Sequence, residues 1–155
     1  MPIFLGGTVQ KILICTDGTD LGRKAEDMAL ALASRFQAHL TGLYVVDPFL
    51  KKFTHEIYAI NREACRDHLD KLLRHEGEQA LASLQARCAS AGLAFIPKIR
   101  QGPPEEEILN EIQEGGYDLL IMGAKLLKSW RERLESVNLP KKIFSQAPIS
   151  MLFVR

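Results

Sequence analysis

The sequence predicts an open α/β fold: five parallel strands in one sheet, with helices on both faces. Three observations lead there. Short apolar runs alternate along the chain with amphipathic helical stretches, in the order β-α-β-α-β-α-β-α-β. The runs are nearly unbroken, as in Leu119-Leu120-Ile121-Met122, which suits strands covered on both faces. Polar turns close them, Asp17-Gly18 after the first and Gly123 after the fourth, where a backbone without a side chain can turn or approach a ligand. Right-handed crossovers leave few topologies for such an order.

Lys11–Asp17 reads as the first strand, β-branched and apolar until its polar end. Gly18-Thr19-Asp20 turns the chain, with Thr19 or Asp20 placed to cap the next helix. There Ala25, Met28, Ala29, Leu32, Ala33 and Phe36 recur at three- and four-residue steps and predict one apolar face. Arg23, Lys24, Glu26 and Asp27 take the other side. Ala38–Val46 is the second strand, closed by Asp47-Pro48 because proline cannot continue a central ladder.

Helical patterning then runs from about Phe53 to Ala91, with Leu69, Leu73, Ala80, Leu84, Cys88 and Ala91 as the inner stripe of its second half. That is long for one globular helix, and predicts a break near Lys52–Arg62 or at Gly77. Gly92 suits a C-terminal cap, and Leu93–Arg100 is the third strand. Gly102-Pro103-Pro104 starts a helix with Glu105, Glu106 and Glu107 in its first turn, where the helix dipole favours carboxylates. These acids read as a helix start, not as a metal or catalytic cluster. Gly115-Gly116 ends that helix before the fourth strand. Trp130–Glu135 reads as partly helical or looped. A short helix starts near Asn138, with Pro140 in its first turn, and Ile149–Val154 is the last strand.

A length of 155 residues predicts a single domain over 1–155. Hydrophobic residues at 46% and charged ones at 25% match a soluble globular protein. A net charge of +1 argues against general electrostatic attachment to nucleic acid or anionic lipid. Cys15, Cys65 and Cys88 show no CxxC spacing and read as reduced, mostly buried thiols. Met1–Val9 carries no basic leader followed by a long apolar core, and no apolar run reaches the length of a membrane span. The expectation is a cytoplasmic protein with no membrane or nucleic-acid partner.

The chain contains no G-x-x-x-x-G-K-[ST] phosphate loop, no G-x-G-x-x-G fingerprint after a strand and no G-x-S-x-G elbow. His39, His55, His68 and His75 are scattered; His68 and His75 can share a helix face but lack a third ligand, so no metal is expected. No catalytic residues are assigned. Beyond Gly123 comes a polar loop with Lys125, Lys128, Arg131 and Arg133, at the carboxyl edge where open α/β sheets bind ligands. Trp130 within it can stack a base or hold an arginine. Its duller role is an anchor fastening the loop to the sheet edge or to another subunit. Asp17 stands where an adenine or ribose lies in a doubly wound sheet. It can equally hydrogen-bond the Gly18-Thr19 turn as an Asx residue, and the two roles are compatible.

Five segments, taken in order, cover nearly the whole chain: Ile12-Leu-Ile-Cys-Thr-Asp-Gly-Thr19, Leu43-Tyr-Val-Val-Asp-Pro48, Gly102-Pro-Pro-Glu-Glu-Glu-Ile108, Asp118-Leu-Leu-Ile-Met-Gly123 and Ala147-Pro-Ile-Ser-Met-Leu-Phe-Val154. Together they resemble the universal stress protein family. The resemblance implies a Rossmann-like, adenine nucleotide alpha hydrolase-like sheet in order 3-2-1-4-5, and commonly a homodimer joined through the last strand. In the family's ATP-binding branch a Gly-x-x-Gly-x9-Gly-Ser/Thr loop wraps the phosphates. Here Gly123 fits the first glycine, and the second falls on Leu126. The third falls on Ser136, or on Glu135 if Ser136 is taken as the following serine. Glycines let backbone N–H groups turn toward phosphate, whereas leucine restricts φ and glutamate repels the anion. Trp130–Ser136 instead resembles the branch that has lost ATP binding.

The resulting expectation is a non-enzymatic stress-response or signalling homodimer with a degenerate nucleotide site, unidentified protein partners and no cofactor. The alternative is a regulator in which Asp17, Val45, Gly123, Lys125, Lys128 and Ser136 hold ATP or AMP, the lysines serving as point charges for phosphate. A slow ATPase or an electron-transfer-flavoprotein-like subunit shares only the fold. For the dimer, Ile149, Met151 and Phe153 alternate with Ser150, Leu152 and Val154, an apolar edge that favours pairing with its two-fold copy.

Overall fold

The computed structural model describes residues 9–47, 62–124 and 139–155, with side chains from residue 67 onward in the second segment. Its strands are β1 (Lys11–Cys15), β2 (His39–Val46), β3 (Phe95–Gln101), β4 (Leu119–Gly123) and β5 (Ser150–Val154). They form one parallel sheet in the order β3-β2-β1-β4-β5. The described helices are α1 (Asp20–Phe36), α2 (Arg62–Ser90), α3 (Pro104–Gly115) and α4 (Leu139–Gln146). The sheet class and strand order are those the sequence predicts.

Alternation along apolar strands divides the core in two. Ile12, Ile14, Leu40 and Ile121 face α1 and α2, where Ala25, Ala29, Ala33, Leu84 and Cys88 meet them. Leu13, Leu43, Leu120 and Met122 face the other way, onto Ile108 and Ile112 of α3 and Ile143 of α4. Each fully buried Leu or Ile contributes about 1.5–3 kcal/mol. Alanines at four-residue spacing let α1 lie close to the sheet, which keeps its N-terminus against the strand ends.

Several expectations change. α2 runs unbroken through Gly77, because the Tyr44 ring fills the place of a side chain: a Cβ there would lie 2.5 Å from a ring carbon. The other predicted break, near Lys52–Arg62, falls largely outside the described residues, as does Trp130–Glu135. The buried line of α2 is Leu73, Gly77, Leu81, Leu84 and Cys88, so the stripe is centred on Leu81 rather than Ala80, and Ala91 is exposed. On α1, Met28 is 40% exposed and Phe36 43%. Both lie at the margin of a face narrowed to its alanines. Glu26, expected on the polar side, is buried at 4% exposure. The strands start or end within two residues of their predicted limits, β3 beginning at Phe95 and β5 at Ser150. Thr19 caps α1, its hydroxyl accepting the Gly22 N–H at 3.2 Å.

Candidate functional site

Strand register builds the site. Cys15 of β1 lies opposite Leu43 of β2 and Met122 of β4. The residues that follow, Thr16 and Asp17, therefore leave the sheet between Val45 and Gly123. Strand order reverses at this point: the chain builds from β1 through β2 to β3, then returns to β1's other side as β4 and β5. Such a switch point leaves a crevice at the carboxyl ends of the strands. The fold thus brings Asp17, Val45 and Gly123 to one edge. Lys125, Lys128, Ser136 and Trp130 lie outside the described residues.

Two of the three residues at the edge have full structural occupations. Asp17 Oδ1 accepts the Thr19 amide at 3.0 Å and the Thr19 hydroxyl at 2.6 Å, an Asx turn that sets the start of α1. Gly123 meets Leu21 of α1: a Cβ on it would lie 2.8 Å from the leucine Cγ. The glycine therefore favours the close seating of α1 on β4, with or without a ligand. Val45 packs its half-buried side chain into the α3-side core and leaves its backbone at the end of β2.

Beside Asp17 and Gly18 a cleft of about 400 Å³ opens between α1 and α2, bordered by Arg23, Glu26, Glu76 and Gln79. Three carboxylates against one guanidinium make it a poor place for phosphate. At the end of β1, burial pushes the Cys15 thiol up to about 12, and the nearby Glu111 charge adds to the effect, which disfavours the thiolate. Among the described residues no group of three or more His, Cys, Asp or Glu side chains is arranged to hold a metal. No described helix is long and apolar enough to cross a membrane.

Sequence reasoning missed two buried carboxylates. Glu26 accepts the Thr16 hydroxyl at 2.6 Å just before the turn. Glu111, wholly buried under α3, accepts hydrogen bonds from Lys98, Arg100 and Tyr117. Burial opposes the Glu111 charge, but those three donors outweigh it and hold the carboxyl below the ordinary range. The signal was present in both cases. Glu26 follows the buried Ala25, and Glu111 sits between Ile108 and Ile112 at core spacing.

The two outer edges of the sheet differ. Leu40 N–H donates to Ala94 C=O and Gly102 N–H to Val46 C=O, so even-numbered residues of β3 bond to β2. Odd-numbered ones, Pro97 among them, face the open edge. On β5, Ala124 N–H donates to Val154 C=O, which turns the amides of Met151 and Phe153 outward. The side chains of Ile149, Met151 and Phe153 rest half-buried on the α3/α4 side, while Leu152 and Val154 pack on the α1 side. Lys142 and Gln146 of α4 both reach Glu105 of α3, leaving Phe144 on the opposite flank, 66% exposed.

Comparison with known proteins follows the same lines. The sequence model described as the universal stress protein family matches residues 8–155. A universal stress protein of Methanocaldococcus jannaschii is 27% identical over 148 residues, 94% of this chain and 82% of that protein. One of Bacillus subtilis is 29% identical over 143 residues, 90% of this chain and 95% of that protein. Among solved structures, a family protein from Burkholderia pseudomallei superposes with a TM-score of 0.73 at 24% identity, covering 96% of this chain and 97% of its own. A universal stress protein in complex with cAMP gives 0.68 at 21%, covering 96% and 98%. An Arabidopsis thaliana family protein with AMP bound gives 0.67 at 16%, covering 94% and 90%. At these identities the structural likeness is one of fold.

Proposed function

The chain belongs to the universal stress protein family, and on that premise we propose that it is a non-enzymatic stress-response or signalling protein of the cytoplasm, acting as a homodimer paired through β5. The carrying observation is the difference between the two sheet edges. β3 protects its open side with Pro97, which has no N–H to offer, and with the charged Lys98 and Arg100 nearby. β5 presents Ser-Met-Leu-Phe-Val with outward amides and neither charge nor proline. Phe144 adds apolar surface on the exposed flank of α4. An isologous strand pair would cover this edge. Equilibrium sedimentation at micromolar concentration tests the reading: a dimer mass is expected, and a monomer refutes it. Met151→Pro, which repeats on β5 the device that Pro97 supplies on β3, should give a folded monomer.

A second reading has support of its own. Asp17, the Val45 backbone and Gly123 converge at the switch point, and solved family members carry AMP and cAMP. In that reading an adenosine lies over β1 and β2, and its phosphates reach Lys125, Lys128 and Ser136 in place of a full glycine loop. Thermal unfolding with millimolar AMP, or with ATP and Mg²⁺, decides between them. A ligand at 100 times its dissociation constant adds about 2.7 kcal/mol, a rise of several degrees for a domain of this size. An unmoved midpoint rejects the nucleotide regulator.

A further inference from the structure

A carboxylate buried on a helix flank needs donors, and its donors show what it holds in place. Glu26 Oε1 accepts the Thr16 hydroxyl at 2.6 Å, and Oε2 accepts Arg87 Nη1 at 2.9 Å. Thr16 donates its proton to the carboxylate, so its oxygen is left as acceptor for the Gly18 N–H at 3.3 Å. Arg87, from α2, binds the neighbouring Asp27 through its other terminal nitrogen. A continuous line of bonds thus leads from the flank of α2, through α1, to the turn after β1.

We propose that Glu26 is the positioning residue of the Asp17–Thr19 turn, and that Arg87 couples α2 to that turn through it. Without the carboxylate the Thr16 hydroxyl is free to rotate, and its lone pair no longer points at Gly18. The guanidinium fork fixes Glu26 from the other side. The line also borders the cleft between α1 and α2, whose lining includes Gly18 and the largely buried Glu26. A displacement of α2, or a cation competing for Glu26, would therefore reach the carboxyl edge without touching it. The consequence for a ligand rests on the adenine-nucleotide reading above; the control of the turn does not.

The test uses the full chain, labelled for amide NMR, with three variants. Glu26→Asp keeps the charge but is too short to hold Thr16 and Arg87 together. Glu26→Gln keeps the reach and loses the charge. Arg87→Met substitutes no residue of the turn, nor Thr16, so it can reach Gly18 only through Glu26. The Gly18 amide should exchange about fivefold faster in Glu26→Asp, the effect of one ordinary hydrogen bond. Its signal should also move in Arg87→Met while those of β5 stay in place. Variants that lower the melting temperature but leave Gly18 exchange unchanged relative to β4 overturn the proposal, since a merely structural pair would do that. If the Glu26 variants do not fold, Arg87→Met decides alone, and an unmoved Gly18 signal overturns it. AMP titration separates the two readings. About fivefold weaker AMP binding by Arg87→Met supports the coupling, and equal binding refutes its extension to ligand. If wild type binds no AMP, the nucleotide reading falls and Gly18 exchange still decides the relay.

Discussion

Replacing Glu111 with glutamine should destabilise the domain by about 2–4 kcal/mol. The carboxylate is wholly buried under α3. Oε1 accepts the Tyr117 hydroxyl at 2.6 Å and the Lys98 ammonium at 2.6 Å, while Oε2 accepts Arg100 Nε at 2.8 Å. Glutamine keeps the volume but has one acceptor oxygen, and its NH₂ then faces a donor. At least one of the three bonds is lost outright, and those that remain lose the carboxylate's negative charge. Hydrogen bonds to charged groups contribute about 1.5–3 kcal/mol, against about 1 for neutral ones. The Lys98 side chain is 39% exposed, so water takes over part of its bond. That keeps the loss below the upper end of the roughly 3–5 kcal/mol seen when a fully buried pair is broken. Urea unfolding measures the effect, and the thermal midpoint should fall by roughly 5–15 °C. Adding Lys98→Met should cost less in the Glu111→Gln background than in wild type, because the two side chains share one bond. A loss under about 1 kcal/mol at constant m-value would refute the reasoning, since the carboxylate could not then be holding three donors.

The same network sets the acid limit. A carboxyl whose folded pKa lies below its unfolded value stabilises fully above the unfolded value, about 4.3, and loses that contribution as pH falls through the folded one. Urea stability should drop below about pH 4.3 in wild type and more shallowly in Glu111→Gln; equal slopes would contradict the assignment. At the alkaline end, the hydrogen bond to Glu111 raises Lys98 and burial raises Tyr117. Both contributions are complete below about pH 10 and fade above it. Gly77→Ala should lower stability by about 1 kcal/mol, as crowding of the Tyr44 ring outweighs the helix-propensity gain; a higher urea midpoint would disprove the contact. Gly123→Ala should cost about 1 kcal/mol through Leu21, and much less in a Leu21→Ala background. Additive losses would remove Leu21 as the cause.

The sheet was legible because its strands are apolar on both faces, and a run such as Leu119–Met122 has few other places to go. The carboxyl edge was legible too, since Asp17 and Gly123 close strands that the topology sets side by side. What pattern reasoning could not see was anything that depends on a partner from another element. Gly77 looks like a helix breaker until Tyr44, far away in sequence, occupies the space above it. Glu26 and Glu111 look like surface acids until Arg87 and Thr16, or Lys98, Arg100 and Tyr117, arrive around them. A periodicity argument places every charged residue outside, and only tertiary donors reverse that placement.

That limit bears directly on the nucleotide question. Asp17 and Gly123 are the residues from which a retained adenine site would be inferred, yet the turn into α1 and the seating of Leu21 make use of them anyway. Their presence therefore carries little information about ligand binding in this chain. The cleft on the α1/α2 side lends no help to a phosphate either, because Asp17, Glu26 and Glu76 outnumber Arg23 there. Any phosphate contact would have to come from the residues after Gly123, most of which lie outside the described residues. On the sequence alone, Lys125 and Lys128 offer charge to a phosphate, while Leu126 and Glu135 stand where the nucleotide reading calls for glycine. Leu126→Gly should accordingly raise AMP or ATP affinity in this chain, whereas any substitution at Asp17 confounds ligand loss with damage to the helix start.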